Sequence, residues 1–292
     1  MSFYVTIPSN SSLDVFDNTI SDFTAQLHIP ISLNGPYEVA LVEFSYDHYW
    51  TVNIGKLWYY YQSGQVFNID IIHRDGEPLE KLFDSLNHQI NLLLIQHEIK
   101  KLSELNPQLS PTQIKNMVLE NFMKKKIFHD EDNDKLVEKN SVPVIRFNSD
   151  SNEIICNTIN ENDNFKITGH LAELLNLSNI YVNSKSPPIK LTEKFSRGLF
   201  IINSLYIYTD IISYQYVGDS LSPLLRNVII PSTRSFLTES VIYNSPHYVP
   251  VNKTHIDTIN IKIKDEQGNN IRFERGKSIV KLHFRPMRYG LL

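Results

Sequence analysis

Ten histidines, 32 aspartates and glutamates and a single cysteine are the groups with which this chain could do chemistry. Their spacing decides what they permit. A zinc site needs ligands at short, regular separations, yet no HExxH stretch occurs and no histidine pair flanks a cysteine at ligand spacing. His88 and His97 are nine residues apart in a helical stretch; about two and a half turns put them on opposite faces. Asp130, Asp132 and Asp134 match the first three ligand positions of an EF-hand loop. However, Lys135 stands where that loop needs glycine, and Ser141 where it needs a bidentate glutamate. No G-x-S-x-G elbow, P-loop or dinucleotide fingerprint is present. Asp257-Thr258 is followed by Ile259 and so lacks the aspartic-protease signature. No catalytic residue, metal or cofactor is expected. A hydrolase would need an unfamiliar cleft with convergent acid and base groups.

Aromatic residues offer a different chemistry. Tyr46, Tyr49, Trp50, Trp58, Tyr59, Tyr60 and Tyr61 fall close together, and such rings stack on sugars or pack at interfaces. Packing is the favoured reading. A glycan- or receptor-binding sandwich using Tyr49, Trp50, Trp58 and Tyr60 is the alternative. The net charge of -4 and pI near 6.2 argue against a partner bound by neutralising phosphates. Cys156 has no second cysteine to pair with and sits beside Ile154 and Ile155, as a small buried hydrophobe does. The N-terminal MSFYVTIPSN has no basic segment followed by an apolar core, so no signal peptide is expected. The sequons at Asn10, Asn176 and Asn252 are accordingly read as chance matches. No apolar run approaches the roughly 20 residues of a membrane span.

The elements that must carry these residues are mostly strands. Phe3 to Ile7 reads as a strand closed by Pro8. Phe23, Ala25, Leu27 and Ile29 alternate on one face of a second, ending at Pro30 and the Asn34-Gly35-Pro36 turn. Tyr37 to Tyr46 follows, then Trp58 to Tyr61, a Ser63-Gly64 turn and Val66 to Ile72. From Gly76 the period becomes helical. Pro78 suits a first turn, and Leu79, Leu82, Phe83, Leu86, Ile90, Leu93, Leu94 and His97 share a stripe. Ser110, Pro111 and Gln113 form a capping box for a second helix bearing Ile114, Met117, Val118 and Phe122, with Lys124 to Lys126 closing it. Asp130 to Asp134 reads as a solvated acidic loop.

Strands resume at Val144 to Phe147 and Glu153 to Ile159. A short helix is expected over Ile167 to Asn176, with Thr168 as its cap. Phe200 to Ile212 reads as a strand apolar on both faces, broken at Gly218-Asp219 and followed, after Pro223, by the strand Leu224 to Ile230. Ser232 to Glu239 reads as a surface loop. Ile259, Ile261 and Ile263, then Val280, Leu282 and Phe284, alternate in two closing strands. Short strands at regular turns imply a sandwich or jelly roll.

Several separated segments together resemble one family. FYVTIPSNSS, YEVALVEFSYDHYW, LYIYTDIISYQYVGDSLSPLLRNV and PHYVPVNKTHIDTINIKIKDEQGNNIRFERGKSIVKLHFRP are similar, in this order, to the penton (minor capsid) proteins of Polinton/Maverick elements. Related proteins occur in adintoviruses and some virophages. VIRFNSDSNEIICNTI with HLAELLNL adds to the likeness, which runs from Phe3 to Pro286 and departs from the family between Gly76 and Val142. The resemblance implies a mainly β chain with a single antiparallel jelly-roll sandwich; the two helices, set between strands, read as a helical insertion over 76–140 into a jelly roll over 1–75 and 141–292. It implies a homopentamer at the fivefold vertices of an icosahedral virion, beside a double-jelly-roll major capsid protein. A host receptor is a further partner, and no direct nucleic-acid binding is expected. Such a protein is made and assembled inside the host cell and not secreted. Phe3, Tyr4, Asp210, Gly218, Asp219, Pro223, Leu224 and Arg226 are the candidate interface residues.

Overall fold

Alternation of apolar and polar residues makes strands that can bury one face, and two such faces closing on each other form a hydrophobic core. A computed structural model describes residues 1–61, 64–127, 144–157, 163–177, 181–183, 185–191, 199–231 and 238–287, without the side chains of 122–127, 144 and 157. The acidic loop Asp130–Asp134, Ser63, Ile159 and most of Ser232–Glu239 lie outside the described residues. The chain opens with β1 (Phe3–Pro8), β2 (Asp22–Ser32), β3 (Tyr37–Asp47) and β4 (Trp50–Tyr60). Next come β5 (Val66–Arg74), α1 (Leu79–Leu105), α2 (Pro111–Ile127), β6 (Val144–Asn148), β7 (Glu153–Asn157), β8 (Asn164–Thr168), α3 (His170–Leu174), β9 (Tyr181–Val182) and β10 (Ile189–Lys190). It closes with β11 (Ser204–Thr209), β12 (Gln215–Val217), β13 (Ser220–Ser222), β14 (Leu224–Ile229), β15 (Thr238–Ile242), β16 (Val249–Pro250), β17 (His255–Lys264), β18 (Arg272–Phe273) and β19 (Ile279–Pro286). Two compact units result, Met1–Val52 with Phe200–Leu292, and Asn53–Leu199.

The first unit is a jelly roll. One sheet runs β1-β19-β3-β15, with β16 also on β3, and the other runs β14-β11-β17-β2. Every pairing in them is antiparallel. In chain order these are strands one, eight, three and six facing five, four, seven and two, the double Greek key of a jelly roll. Ile7, Phe23, Val39, Leu41, Phe44, Leu205, Ile207, Val228, Ile259, Ile261, Ile263, Val280, Leu282 and Phe284 are buried in one core cluster.

Two irregularities correct the expected patterns. The pairing of β2 with β17 shifts register between Ile256 and Thr258, so β2 passes through Pro30 to Ser32 instead of ending there. Ile29, expected inside, is 77% exposed, because the bulge breaks the period-two phase. In β3 a shift opposite Lys281/Leu282 lets Val39 and Leu41, then Phe44 and Tyr46, all reach the core. β11 spans only Ser204–Thr209, not Phe200 to Ile212. It buries Leu205, Ile207 and Thr209 and leaves Tyr206 and Tyr208 half-exposed on the outer face.

The boundaries of the second unit correct the expected insertion. β4 continues past Val52 to pair with β5 and β8, so residues 53–75 and 141–199 supply none of the eight jelly-roll strands. They build a β5-β4-β8-β9 ladder and a β10-β7-β6 sheet of their own. Helix α1 packs on α2, β5 and β6, burying Leu79, Leu82, Phe83, Leu86, Ile90 and Leu94. Asn87 of α1 completes the free edge of β6: its amide donates to the Ile145 carbonyl at 2.9 Å and accepts from the Ile145 N–H at 2.8 Å. The expected cap at Thr168 is not formed, because Ile167 and Thr168 belong to β8. Gly169 occupies the cap position without a side-chain bond.

The capping box of α2 is formed. The Ser110 N–H donates to Gln113 Oε1 at 3.0 Å, and the Gln113 N–H donates to Ser110 Oγ at 3.3 Å. Ser110→Ala should therefore cost about 1 kcal/mol of stability, measured by chemical denaturation. An unchanged midpoint would show that water replaces the cap without loss.

Candidate interaction surfaces of the jelly roll

The residues named from sequence fall into two groups, some already used inside the fold and some open. Phe3 is used: its ring stacks on Phe284 at 5.0 Å, nearly parallel, and packs against the core. Asp210 is used too, bound by Lys253 at 2.7 Å and by the Asn260 N–H at 2.8 Å. The Pro223 carbonyl accepts from the Thr209 N–H at 3.2 Å, and the Leu224 carbonyl accepts from the Gln215 side chain. The Arg226 guanidinium lies 4.2 Å from the Tyr243 ring centre, a cation–π contact at the sandwich edge.

Between those anchors a hairpin projects. β12 and β13 pair only with each other, with Val217 opposite Ser220, so Gly218-Asp219 is a two-residue loop. Gly218 has φ +63°, the left-handed conformation such a tight turn needs. Tyr216 stands directly opposite Leu221, so the two share one ribbon face, and next to the ribbon, just before Gln215, stands Tyr214. They are 78%, 56% and 65% exposed, respectively.

The outer face of the β1-β19-β3-β15 sheet carries a groove of about 490 Å³. Ile242, Tyr243 and Val42 are its apolar lining, together with Tyr4, Tyr248, Lys281 and His283. Strand order creates it, because Tyr4 faces His283 across the β1–β19 pair and Lys281 faces Glu43 across β19–β3. The rings of Tyr4 and His283 stack at 4.5 Å, and the Tyr248 hydroxyl lies 2.7 Å from His283 Nδ1. Arg285 covers the Tyr248 ring at 3.4 Å while bonding Glu38 at 2.6 Å. Lys281 holds Glu43 at 3.2 Å and stays partly exposed. Burial, then the Arg285 charge, lower the pKa of His283 below its ordinary value. Sequence reading found Tyr4 but missed Ile242, Tyr243, Tyr248 and His283, since only strand pairing brings them together.

The residues of the aromatic run differ in exposure. Trp50 is fully buried, edge-on to Phe273 at 5.5 Å, and its indole N–H has no hydrogen-bond partner among the described residues. As a sugar-stacking residue it is withdrawn, because β4 alternation turns it into the core. Tyr49 lies under the Arg275 guanidinium at 3.8 Å. In the second unit, Trp58 donates to Thr168 Oγ1 at 3.4 Å and Tyr60 packs on Tyr181 at 5.5 Å.

Two further groups are perturbed by burial in the second unit. The Cys156 thiol is pushed up to about 12 by burial, which leaves it protonated and unreactive at neutral pH. His73, also buried, has its pKa lowered chiefly by burial, although its Nε2 lies 2.8 Å from the Leu199 carbonyl oxygen. The folded state thus binds a proton less readily than the unfolded chain. Stability from this group is full above the ordinary histidine pKa of about 6.5 and falls as pH drops below it. Thermal scans from pH 7.5 to 5.5 should show a declining midpoint. His73→Gln, which keeps a donor toward Leu199, should flatten that decline; an unaltered slope would acquit His73.

Among the described residues no group of three or more His, Cys, Asp or Glu could hold a metal ion, and no helix is long and apolar enough to cross a membrane. No protein-family model matches the chain, and no curated protein matches it. Among solved structures it is similar to the crystal structure of mavirus penton protein. That match has 12% sequence identity and a TM-score of 0.44, and covers 98% of this chain and 100% of that one. The strand order, not this likeness, carries the fold assignment.

Proposed function

We propose that this chain is a structural capsid subunit, a penton that assembles as a homopentamer at the fivefold vertices of an icosahedral shell. Its neighbours there would be copies of a double-jelly-roll major capsid protein. The observation that carries this reading is the complete eight-stranded jelly roll, built wholly from Met1–Val52 and Phe200–Leu292. The ordered sequence segments point the same way. A closed ring requires heterologous contacts, one surface meeting a different surface of the next copy. The exposed hairpin and the aromatic groove are two such unlike surfaces. The rival glycan-binding module loses Trp50, which is buried in the core. A host receptor and the role of the Asn53–Leu199 unit belong to this proposal as open partners.

Size-exclusion chromatography with light scattering tests it. The expected mass is five times the 33.9 kDa of the chain, and particles formed with the major capsid protein should carry this chain at their vertices. A strict monomer absent from fivefold positions refutes the reading.

A further inference from the structure

We infer that the ring is closed by insertion of the Gln215–Ser222 hairpin of one copy into the Tyr4/Ile242/Tyr243/Tyr248 groove of the next. This inference rests on the pentamer reading. The hairpin lies in the connection between β11 and β14 of one sheet and pairs as a two-stranded ribbon of its own, whereas the groove lies on the outer surface of the opposite sheet. Each copy therefore presents a projection and a recess on different elements, which is what a head-to-tail contact requires.

The chemistry of the two surfaces is complementary. On the hairpin, Tyr216 and Leu221 are exposed on one face although large and apolar, and Tyr214 just before it is exposed too. In the groove, Ile242 is 68% exposed and Tyr4 62%, so both surfaces leave apolar area in water that docking removes. At the hairpin tip Asp219 is exposed, bonded only by the adjacent Ser220 hydroxyl at 3.2 Å among the described residues. At the groove Lys281 has one carboxylate partner, Glu43, and an ammonium has three donors. A second carboxylate can join it without displacing the first. Aromatic side chains bury about 150–250 Å² each, and a stable interface needs about 800 Å² per partner. The hairpin is thus the anchor of a wider side-to-side contact, the place where a few residues carry most of the binding.

The test uses the full chain and its assembly measured against concentration by light scattering. Tyr216→Ser, Ile242→Asp and Asp219→Lys, all at exposed positions, should each raise the half-assembly concentration about tenfold or more. Circular dichroism and the unfolding midpoint should stay unchanged. Lys281→Glu should weaken assembly similarly, and combining it with Asp219→Lys should recover most of the loss. Assembly of every variant at the wild-type concentration overturns hairpin docking and leaves the pentamer reading intact. A double variant no better than either single one overturns the Asp219–Lys281 pairing. A wild-type chain that stays at 33.9 kDa at every concentration and is absent from the fivefold vertices of particles overturns both readings.

Discussion

Gly169→Ala should unfold or severely loosen the second unit while sparing the jelly roll. Gly169 follows the last β4–β8 pair, Lys56 with Thr168, and lies against Gly55 of β4. A Cβ on Gly169 would stand 2.6 Å from the Gly55 Cα and 3.2 Å from the Ile54 carbonyl oxygen. These are backbone atoms in a paired strand, so no side chain can rotate away. The backbone adds its own cost, because φ is +84° and an alanine strains in that left-handed region. Collision and strain together should cost on the order of 3 kcal/mol or more. Gly55→Ala should be comparable, since its Cβ would strike the Thr168 carbonyl at φ +145°. Hydrogen exchange resolved by segment is the direct measurement. Protection should fall over β4, β8 and α3 and persist in β17 and β19. Full protection in β8 of the variant would mean that the two strands can separate cheaply, and the close approach would lose its importance.

The second large effect lies in the sandwich. Phe284→Ala should destabilise the jelly roll by about 3–5 kcal/mol, the usual cost of emptying a buried aromatic site. Phe284 is fully buried, lies on β19 in the middle of its sheet, and carries Phe3 of the edge strand β1 on its ring. Its removal leaves a cavity and also takes away the stack that ties β1 down. For a unit of this size the loss corresponds to a fall in melting midpoint on the order of 10 °C. Differential scanning calorimetry reads it. A loss under about 1 kcal/mol would mean that the core collapses into the gap, so that Phe284 is not a keystone of the sandwich.

Phe284 and Gly169 differ in how far the sequence alone marks them. Phe284 alternates with Leu282 and Val280, so its burial follows from the period of a strand with one apolar face. Nothing in the residues around Gly55 or Gly169 marks either one as a contact point. They lie more than a hundred positions apart, and only the β4–β8 register brings them together.

The sequence by itself determined the local elements: the alternating strands β17 and β19, the amphipathic α1, the Ser110 capping box of α2 and the Gly218-Asp219 turn. Each depends on neighbours a few residues away, where period, capping groups and φ preference act directly. The ordered motifs also anticipated a jelly roll. Only the tertiary structure decided which strands belong to it. β4 reads as an ordinary strand, yet it starts in one unit and continues into the other, carrying residues 53–75 out of the sandwich. The tertiary structure likewise buried Trp50, turned Ile29 outward at a bulge, and gathered Tyr4, Ile242, Tyr248 and His283 around one groove. The physical reason is that period-two alternation says that a strand has two faces but not what will cover them. That depends on register and strand order, which long-range pairing sets.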